Sequence, residues 1–153
     1  MKLEPLMTFR AVIGESLPIG QTPSGNRSIA RVTSGSFEGP GLKGEILEPG
    51  ADWVRITDDG FGQVDVRLAF KTDDGDLIYV RYEGLLEFSE AVSNAMAGGE
   101  EMAFGDNYFA TQIRFETGSS KYGYLNQVIA VGEGRLLGRE VEYRCFKVVP
   151  SPQ

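Results

Sequence analysis

The clearest pattern of apolar and polar positions lies in residues 63–84. On both sides of an acidic turn at 72–76, apolar residues alternate with polar ones, which is the two-residue period of a β-strand. This pattern predicts a β-hairpin closed by a three-residue loop with a glycine bulge at Gly75, because that register leaves one face wholly apolar. The opposed pairs on the apolar face are then Phe70–Ile78, Leu68–Val80 and Val66–Tyr82.

The other face of this hairpin is polar. The same register sets Asp65 near Glu83 and Arg67 near Arg81, with opposite charges on the diagonals. The pattern leaves open which face points inward. A solvated outer face is the rule for antiparallel sheets, and its ion pairs contribute only ~0–1 kcal/mol each. If the polar face points inward, a buried carboxylate paired with arginine would bind a ligand or accept its proton.

Seven further segments show strand-like runs between turn residues and bring the predicted total to nine strands. They are residues 6–13, 27–32, 37–47, 52–57, 108–116, 127–131 and 141–149. Gly14, residues 18–25 and the Pro49-Gly50 pair are predicted to lie in turns between strands. Because the connections are short, we expect an all-β fold, an antiparallel up-and-down β-barrel in one domain, residues 1–153. Residues 150–153 are predicted to form a short tail.

One short helix is predicted at residues 89–97. Ser89 is a suitable N-cap, and Gly98-Gly99 would end the helix. Its apolar stripe contains Ala91, Val92, Ala95 and Met96.

Net charge and composition exclude several classes of function. The net charge is −7 and no basic cluster is present, which argues against nucleic acid as a partner. No apolar run approaches the roughly 20 residues of a membrane span, and the first residues lack a signal-peptide core. Cys145 is the only cysteine, so no intramolecular disulfide can form. We therefore expect a cytoplasmic protein without a membrane partner.

The residue types also limit the chemistry. The chain contains no histidine, which excludes a Ser-His-acid triad and makes a metal site improbable. The acidic turn at 73–76 lacks the ligand spacing of a calcium loop. The glycines at 132–138 do not have the spacing of a dinucleotide-binding site, and too little chain follows them. We expect neither a metal nor a cofactor.

Three stretches in register carry a resemblance to a known family: residues 39–53, residues 65–84, and residues 108–126. In these stretches the chain resembles the uncharacterised-protein family 0311, also called domain of unknown function 3237. The match extends over nearly the whole chain. The resemblance implies a compact lipocalin-like β-barrel that forms a homo-oligomer. It implies no particular activity, since a fold does not supply one.

The polar and aromatic residues at matching positions are the candidate site. We assign Asp65 and Glu116 as candidate general bases and Tyr79 and Tyr122 as candidate acids or oxyanion donors. The candidate ligand-binding residues are Asp52, Trp53, Arg67 and Asn126. Tyr82 and other strand aromatics would wall the pocket or fill the core.

Three hypotheses of function remain open at this point. The first is a small-molecule-binding barrel whose pocket takes an aromatic or apolar organic acid or ketone, with Arg67 pairing with an anionic group. The second is a cofactor-independent isomerase, lyase or cyclase that uses the carboxylates and tyrosines named above. The third is a structural or protein-interaction module. If Trp53 lines the pocket, its fluorescence should report ligand entry.

Overall fold

The computed structural model describes residues 1–98 and 100–152. Within these residues the chain forms nine β-strands, one α-helix and one 3₁₀ turn. The strands are β1 (Lys2–Thr22), β2 (Gly25–Gly39), β3 (Leu42–Asp52), β4 (Arg55–Ile56), β5 (Phe61–Thr72), β6 (Leu77–Glu87), β7 (Phe109–Glu116), β8 (Ile129–Leu137) and β9 (Glu140–Val149). The helix α1 spans Glu90–Met96, and the 3₁₀ turn spans Gly123–Gln127.

Eight of the strands close into a ring. Each pairs antiparallel with its neighbours in the order β1-β2-β3-β5-β6-β7-β8-β9, and β9 pairs with β1. The short β4 pairs with both β2 and β5 beyond the end of β3. Closure leaves none of the eight as a free edge. The predicted antiparallel up-and-down barrel with one short helix is therefore confirmed.

The hairpin of β5 and β6 has the predicted register. Phe70 lies opposite Ile78, and Val66 lies opposite Tyr82. Gly75 has φ of 93° and its N–H donates to the Thr72 carbonyl at 2.9 Å, as expected for the three-residue loop. The apolar face is buried inside the barrel and the polar face lies outside. The ion pairs within 4.0 Å among the described residues do not include the diagonals of that polar face.

Two groups of residues that were predicted to form turns lie within strands, for the same reason. Gly14 and most of residues 18–25 do not leave the sheet, because β1 continues to Thr22 through irregularities in its pairing with β2. Likewise, Pro49 and Gly50 lie within β3, where the pairing register shifts between Leu47 and Ala51. A β-bulge adds a residue to one strand without ending it, so turn-forming residues there do not mark a turn.

The helix begins where it was predicted. The Ser89 side chain accepts a hydrogen bond from the Val92 N–H at 3.3 Å, which is the N-cap interaction. Val92 and Ala95 are buried against the barrel, whereas Met96 is 60% exposed. Gly98 has the positive φ expected after a helix end. The predicted role of Gly99 and the last residue of the predicted tail, Gln153, lie outside the described residues.

The barrel interior is filled at one end and hollow at the other. A cluster of aromatic rings packs across its middle, with Phe9 and Tyr143 stacked at 4.7 Å and Phe37 and Phe70 stacked at 4.5 Å. Tyr122 and Leu125 close the filled end. No helix in residues 1–98 or 100–152 has the length and apolar character needed to cross a membrane.

Candidate functional site

A cavity of about 460 Å³ occupies the hollow end of the barrel. It lies where β4, the end of α1 and the β8–β9 turn come together, so Ile56, Met96 and Gly138 are among its lining residues. Most of its wall is apolar, including Val32, Val54, Val64, Val66, Leu86 and Phe109. Polar side chains also line this wall. Asp52, Tyr82 and Tyr143 come from three different strands, and the others are Glu15, Ser16, Ser28 and Arg139.

Asp52 points inward because of its position in the sheet. It is the last residue of β3 and lies opposite Ala30 on β2 and Val66 on β5. Directly opposed residues of an antiparallel pair share a face of the sheet, and Val66 is buried in the barrel. One carboxylate oxygen of Asp52, Oδ1, accepts a hydrogen bond from the Asp65 N–H at 3.0 Å. This bond fixes the orientation of the carboxylate where the β3–β5 ladder ends.

Burial raises the pKa of the Asp52 carboxyl to about 6. Transfer into an apolar surrounding disfavours the charged form of an acid. The hydrogen bond from the Asp65 N–H lowers the pKa, the negative charge of Asp65 raises it, and the positive charge of Arg27 lowers it. The balance leaves a carboxyl group that loses its proton close to neutral pH. Groups with such perturbed pKa values in cavities are typical of functional sites.

Tyr82 and Tyr143 form the other polar part of the cavity. Both are 3% exposed, and their rings meet edge to face with centroids 5.0 Å apart. Burial raises the pKa of both phenols. The interaction between the two hydroxyl groups raises the pKa of Tyr82 and lowers that of Tyr143, and the negative charge of Asp52 raises both pKa values further. Both hydroxyl groups therefore keep their protons at neutral pH and can donate hydrogen bonds to a ligand.

Three of the sequence-predicted site residues lie together on the outer surface. Asp65 and Arg67 are on the outward face of β5 and line a surface groove there. The Arg67 guanidinium lies 5.4 Å from the centre of the Trp53 ring, and Trp53 lines a neighbouring groove on the outside of the barrel. Its backbone N–H donates to the Asp65 carbonyl at 2.9 Å. These side chains therefore lie on the outer face of the same part of the sheet whose inner face carries Asp52.

The other four candidates lie toward the filled end. Tyr79 and Glu116 oppose each other on the outer face of β6 and β7 and line a groove there. The Tyr122 hydroxyl donates to Asp74 Oδ1 at 2.9 Å, and the Asn126 side chain bonds to both backbone groups of Thr117. Of the eight candidates, all within the described residues, Asp52 is the one that lines the cavity.

Sequence reasoning missed Tyr143 as a site residue. The signal was present in β9, where Val141, Tyr143 and Cys145 alternate with the charged Glu142 and Arg144. Such alternation predicts an inward-facing tyrosine, and a buried phenol needs a polar partner. Tyr82 was identified only as a wall residue, and its place near Asp52 follows from barrel closure.

A family sequence profile described as "Protein of unknown function (DUF3237)" matches residues 1–148. The chain belongs to the DUF3237 family. Relatives of this family include a UPF0311 protein of Rhodopseudomonas palustris, 32% identical over 127 residues and 83% of each chain. A UPF0311 protein of Clostridium acetobutylicum is 28% identical over 149 residues, which are 97% of this chain and 94% of the relative. The resemblance found in the sequence is thus confirmed.

Solved structures support the DUF3237 barrel directly. A β-barrel-like protein from Acinetobacter baumannii AYE is 37% identical, with a TM-score of 0.82 and coverage of 95% of this chain and 94% of that one. The conserved protein of unknown function from Rhodopseudomonas palustris has a TM-score of 0.89 at 29% identity, with 97% of each chain covered. A structure described as an enzyme from Penicillium herquei has a TM-score of 0.71 at 21% identity, covering 97% of this chain and 94% of that one, and shows the shared fold.

Proposed function

We propose that the barrel binds a small, mostly apolar organic molecule in the cavity at its hollow end. The observation that carries this proposal is the combination of an apolar wall with three converging polar side chains, Asp52, Tyr82 and Tyr143. The volume of about 460 Å³ falls in the range of ligand pockets, about 300–1,000 Å³. A ligand with fused or aromatic rings would fill the apolar part and direct one polar group at the three side chains.

The charges of the cavity favour a ketone over an organic acid. At neutral pH the Asp52 carboxyl is mostly ionised and the two phenols are protonated. A carbonyl oxygen can accept hydrogen bonds from the phenols, whereas a ligand carboxylate would be repelled by Asp52. Arg67 lies on the outside, and Arg139 is the arginine that lines the cavity. An acidic ligand would therefore place its carboxylate near Arg139.

A cofactor-independent enzyme on the same cavity is the second candidate function. Its support is the ionisable Asp52 carboxyl within an apolar wall, which is the environment that enzymes use to tune a general base. The Penicillium herquei protein with this fold is described as an enzyme, but a shared fold does not transfer an activity. The cytoplasmic location and the homo-oligomer stay predictions, and size-exclusion chromatography with light scattering would test the oligomeric state.

Ligand binding is best tested with a matched pair of substitutions. Ala30→Phe places a ring in the cavity beside Asp52, and Ala69→Phe places the same ring on the outer face of β5. We expect 2-tetralone, an apolar bicyclic ketone, to raise the melting temperature of the wild type and of Ala69→Phe, because binding to the native state stabilises it. The ketone should leave the melting temperature of Ala30→Phe unchanged.

Because Trp53 lies on the outside of the barrel, its fluorescence is not a suitable measure of ligand binding in the cavity. Calorimetry should measure Kd instead. Equal affinity for the wild type and Ala30→Phe would show that the ligand binds elsewhere. If bicyclic ketones, phenols and aromatic acids all failed to bind the wild type, the proposal would be wrong.

A further inference from the structure

We propose that Asp52 is the general base of a cofactor-independent enolisation, in which it removes a proton from the carbon next to the carbonyl group of a bound bicyclic ketone. Tyr82 and Tyr143 are the hydrogen-bond donors to the carbonyl oxygen. This inference rests on the proposed function, since it needs a ketone in the cavity. It adds a reaction and assigns a role to each polar group.

The sheet places base and donor at opposite sides of one gap. Asp52, Val66 and Tyr82 are directly opposed residues on β3, β5 and β6, and all three face inward. Neighbouring strands are about 4.8 Å apart, so the Asp52 and Tyr82 backbones are separated by roughly 10 Å across the sheet. Val66 between them has a short apolar side chain. A flat ring lying over Val66 therefore has the carboxylate at one edge and the phenol at another.

Tyr143 completes the donor side. It reaches the same region from β9, and its ring contacts that of Tyr82 at 5.0 Å. Phe109 packs edge to face on Tyr143 at 5.4 Å and lines the cavity. Two donors converging on one oxygen stabilise the negative charge that develops there, as in an oxyanion hole. Their burial means that little water competes for that oxygen.

Groups on four strands interact with Asp52: the two charged residues shift its pKa, and its own negative charge raises the pKa values of the two tyrosines. These groups are Arg27 on β2, Asp65 on β5, Tyr82 on β6 and Tyr143 on β9. The Asp65 contact is the backbone N–H, which holds Oδ1. A base is most effective when it titrates near the working pH, and the phenols stay protonated as donors.

The reaction is balanced without a co-reactant. The Asp52 carboxylate forms an O–H bond with the proton, and the electron pair of the broken C–H bond becomes the C=C bond of the enolate. The π electrons of the carbonyl group move to its oxygen, which accepts hydrogen bonds from the two phenols. The protonated Asp52 carboxyl exchanges its proton with solvent and delivers a solvent-derived one to the same carbon, which gives isotope exchange; delivery to a conjugated carbon gives an isomer.

A structural role for Asp52 makes a different prediction. If the carboxylate served only to hold the Asp65 N–H at the end of β3, an asparagine would do so equally, because its side-chain oxygen also accepts. Asp52→Asn keeps this bond, the volume and the cavity, but it cannot take a proton. The variant therefore separates positioning from proton transfer.

The test is hydrogen exchange of 2-tetralone in D₂O, followed by ¹H NMR at its acidic methylene group. We expect the wild type to accelerate exchange at least 100-fold over buffer, with a rate that rises with pH through about 6. Asp52→Asn should lose about 10²–10⁴-fold of the rate with Kd within about threefold of the wild type. Tyr82→Phe and Tyr143→Phe should each lose about 10-fold or more.

Asp73→Asn is the control, since Asp73 is an exposed carboxylate in the β5–β6 turn at the filled end, and its exchange rate should equal that of the wild type. If Asp52→Asn failed to fold by circular dichroism, Asp52→Ser would replace it. A ketone that binds the wild type without accelerated exchange would overturn this inference and leave the binding proposal intact. Undiminished exchange in folded Asp52→Asn would overturn it as well. Failure of 2-tetralone to bind would contradict the substrate class.

Discussion

At the scale of single residues, Asp52 and Asp65 show how position within a strand decides what a carboxylate does. The two groups are joined by one hydrogen bond, from the Asp65 N–H to Asp52 Oδ1. Yet Asp52 lines the cavity, whereas the Asp65 side chain lies outside. The alternation of apolar and polar residues along β5 predicts that the Asp65 side chain lies on the face opposite to that of Val64 and Val66. The inward direction of Asp52 was hidden, because Pro49 and Gly50 were predicted to form a turn, so that Asp52 was not assigned to the same strand as the inward-facing Ile46.

Asp52 should make the folded state less stable as the pH rises. Its folded pKa of about 6 lies above the value of 3.8 for the free side chain, so between these pH values the native state binds more protons than the unfolded state. The free energy of unfolding therefore falls with increasing pH across this window. The difference between these two pKa values corresponds to at most about 3 kcal/mol. Asp52→Asn removes this penalty.

We thus expect Asp52→Asn to be more stable than the wild type at pH 8, by up to about 3 kcal/mol, and equally stable near pH 4. Urea denaturation of both proteins at both pH values measures the difference in the free energy of unfolding. Because Arg27, Asp65, Tyr82 and Tyr143 are present in both proteins, the difference reports the titration of Asp52. A constant difference between pH 4 and pH 8 would show that the Asp52 pKa is not raised. A variant that gains stability while losing exchange would mark Asp52 as retained for function.

At the scale of elements, the predicted hairpin is correct, but its turn has a partner that the pattern did not reveal. The 3₁₀ segment and the residues before it fold against the β5–β6 turn at the filled end. Tyr122 and Lys121 both bond to Asp74, at 2.9 and 2.7 Å, and the Ser119 hydroxyl bonds to Asp76 at 2.7 Å. These pairs are more than 40 residues apart in sequence. Local periodicity carries no information about such contacts.

The Tyr122 hydroxyl should therefore contribute to stability and not to ligand binding. Bonds to Lys121, Thr72 and Tyr122 hold the pKa of Asp74 well below its usual range, and hydrogen bonds to charged groups are stronger than neutral ones. We expect Tyr122→Phe to lower the melting temperature by about 2–5 °C with no change in Kd for 2-tetralone. Tyr124→Phe, an exposed tyrosine of the same segment, is the control and should leave both quantities unchanged. A weaker Kd for Tyr122→Phe alone would return Tyr122 to the candidate site.

At the scale of the whole molecule, short connections between alternating strands sufficed to predict an up-and-down barrel. The lengths of the strands could not be predicted in the same way, because the glycine and proline residues within β1 and β3 lie at irregularities of strand pairing and not at turns. Nor could the sequence show which half is hollow. That depends on how large side chains distribute once the ring closes. Phe37 and Phe70 stack in one half, whereas the other half has smaller residues such as Ala30 and Val66 facing the cavity.

Closure of the ring requires close approach of strands at some positions, and Gly44 is one. It lies on β3 opposite Thr72 of β5 and Phe37 of β2. A Cβ atom there would come within 2.0 Å of the Lys71 carbonyl oxygen and 2.8 Å of the Phe37 ring. Because both neighbours belong to the closed sheet, neither can withdraw without disturbing the filled half of the core. An alanine must separate β3 from β5 or displace the Phe37–Phe70 stack.

We expect Gly44→Ala to destabilise the fold by about 1–3 kcal/mol, which corresponds to a melting temperature lowered by about 2–10 °C. Gly118→Ala is the matched control, because no atom lies within 4 Å of its added Cβ and its φ is not positive. That variant should be unchanged or slightly stabilised. Calorimetric scans of both variants measure the effect. Equal melting temperatures for the two would mean that β3 and β5 can separate at little cost, so that the barrel is held closed elsewhere. A loss confined to Gly44→Ala would instead establish that the tight β3–β5 approach at the filled end stabilises the closed ring on which the hollow end is built.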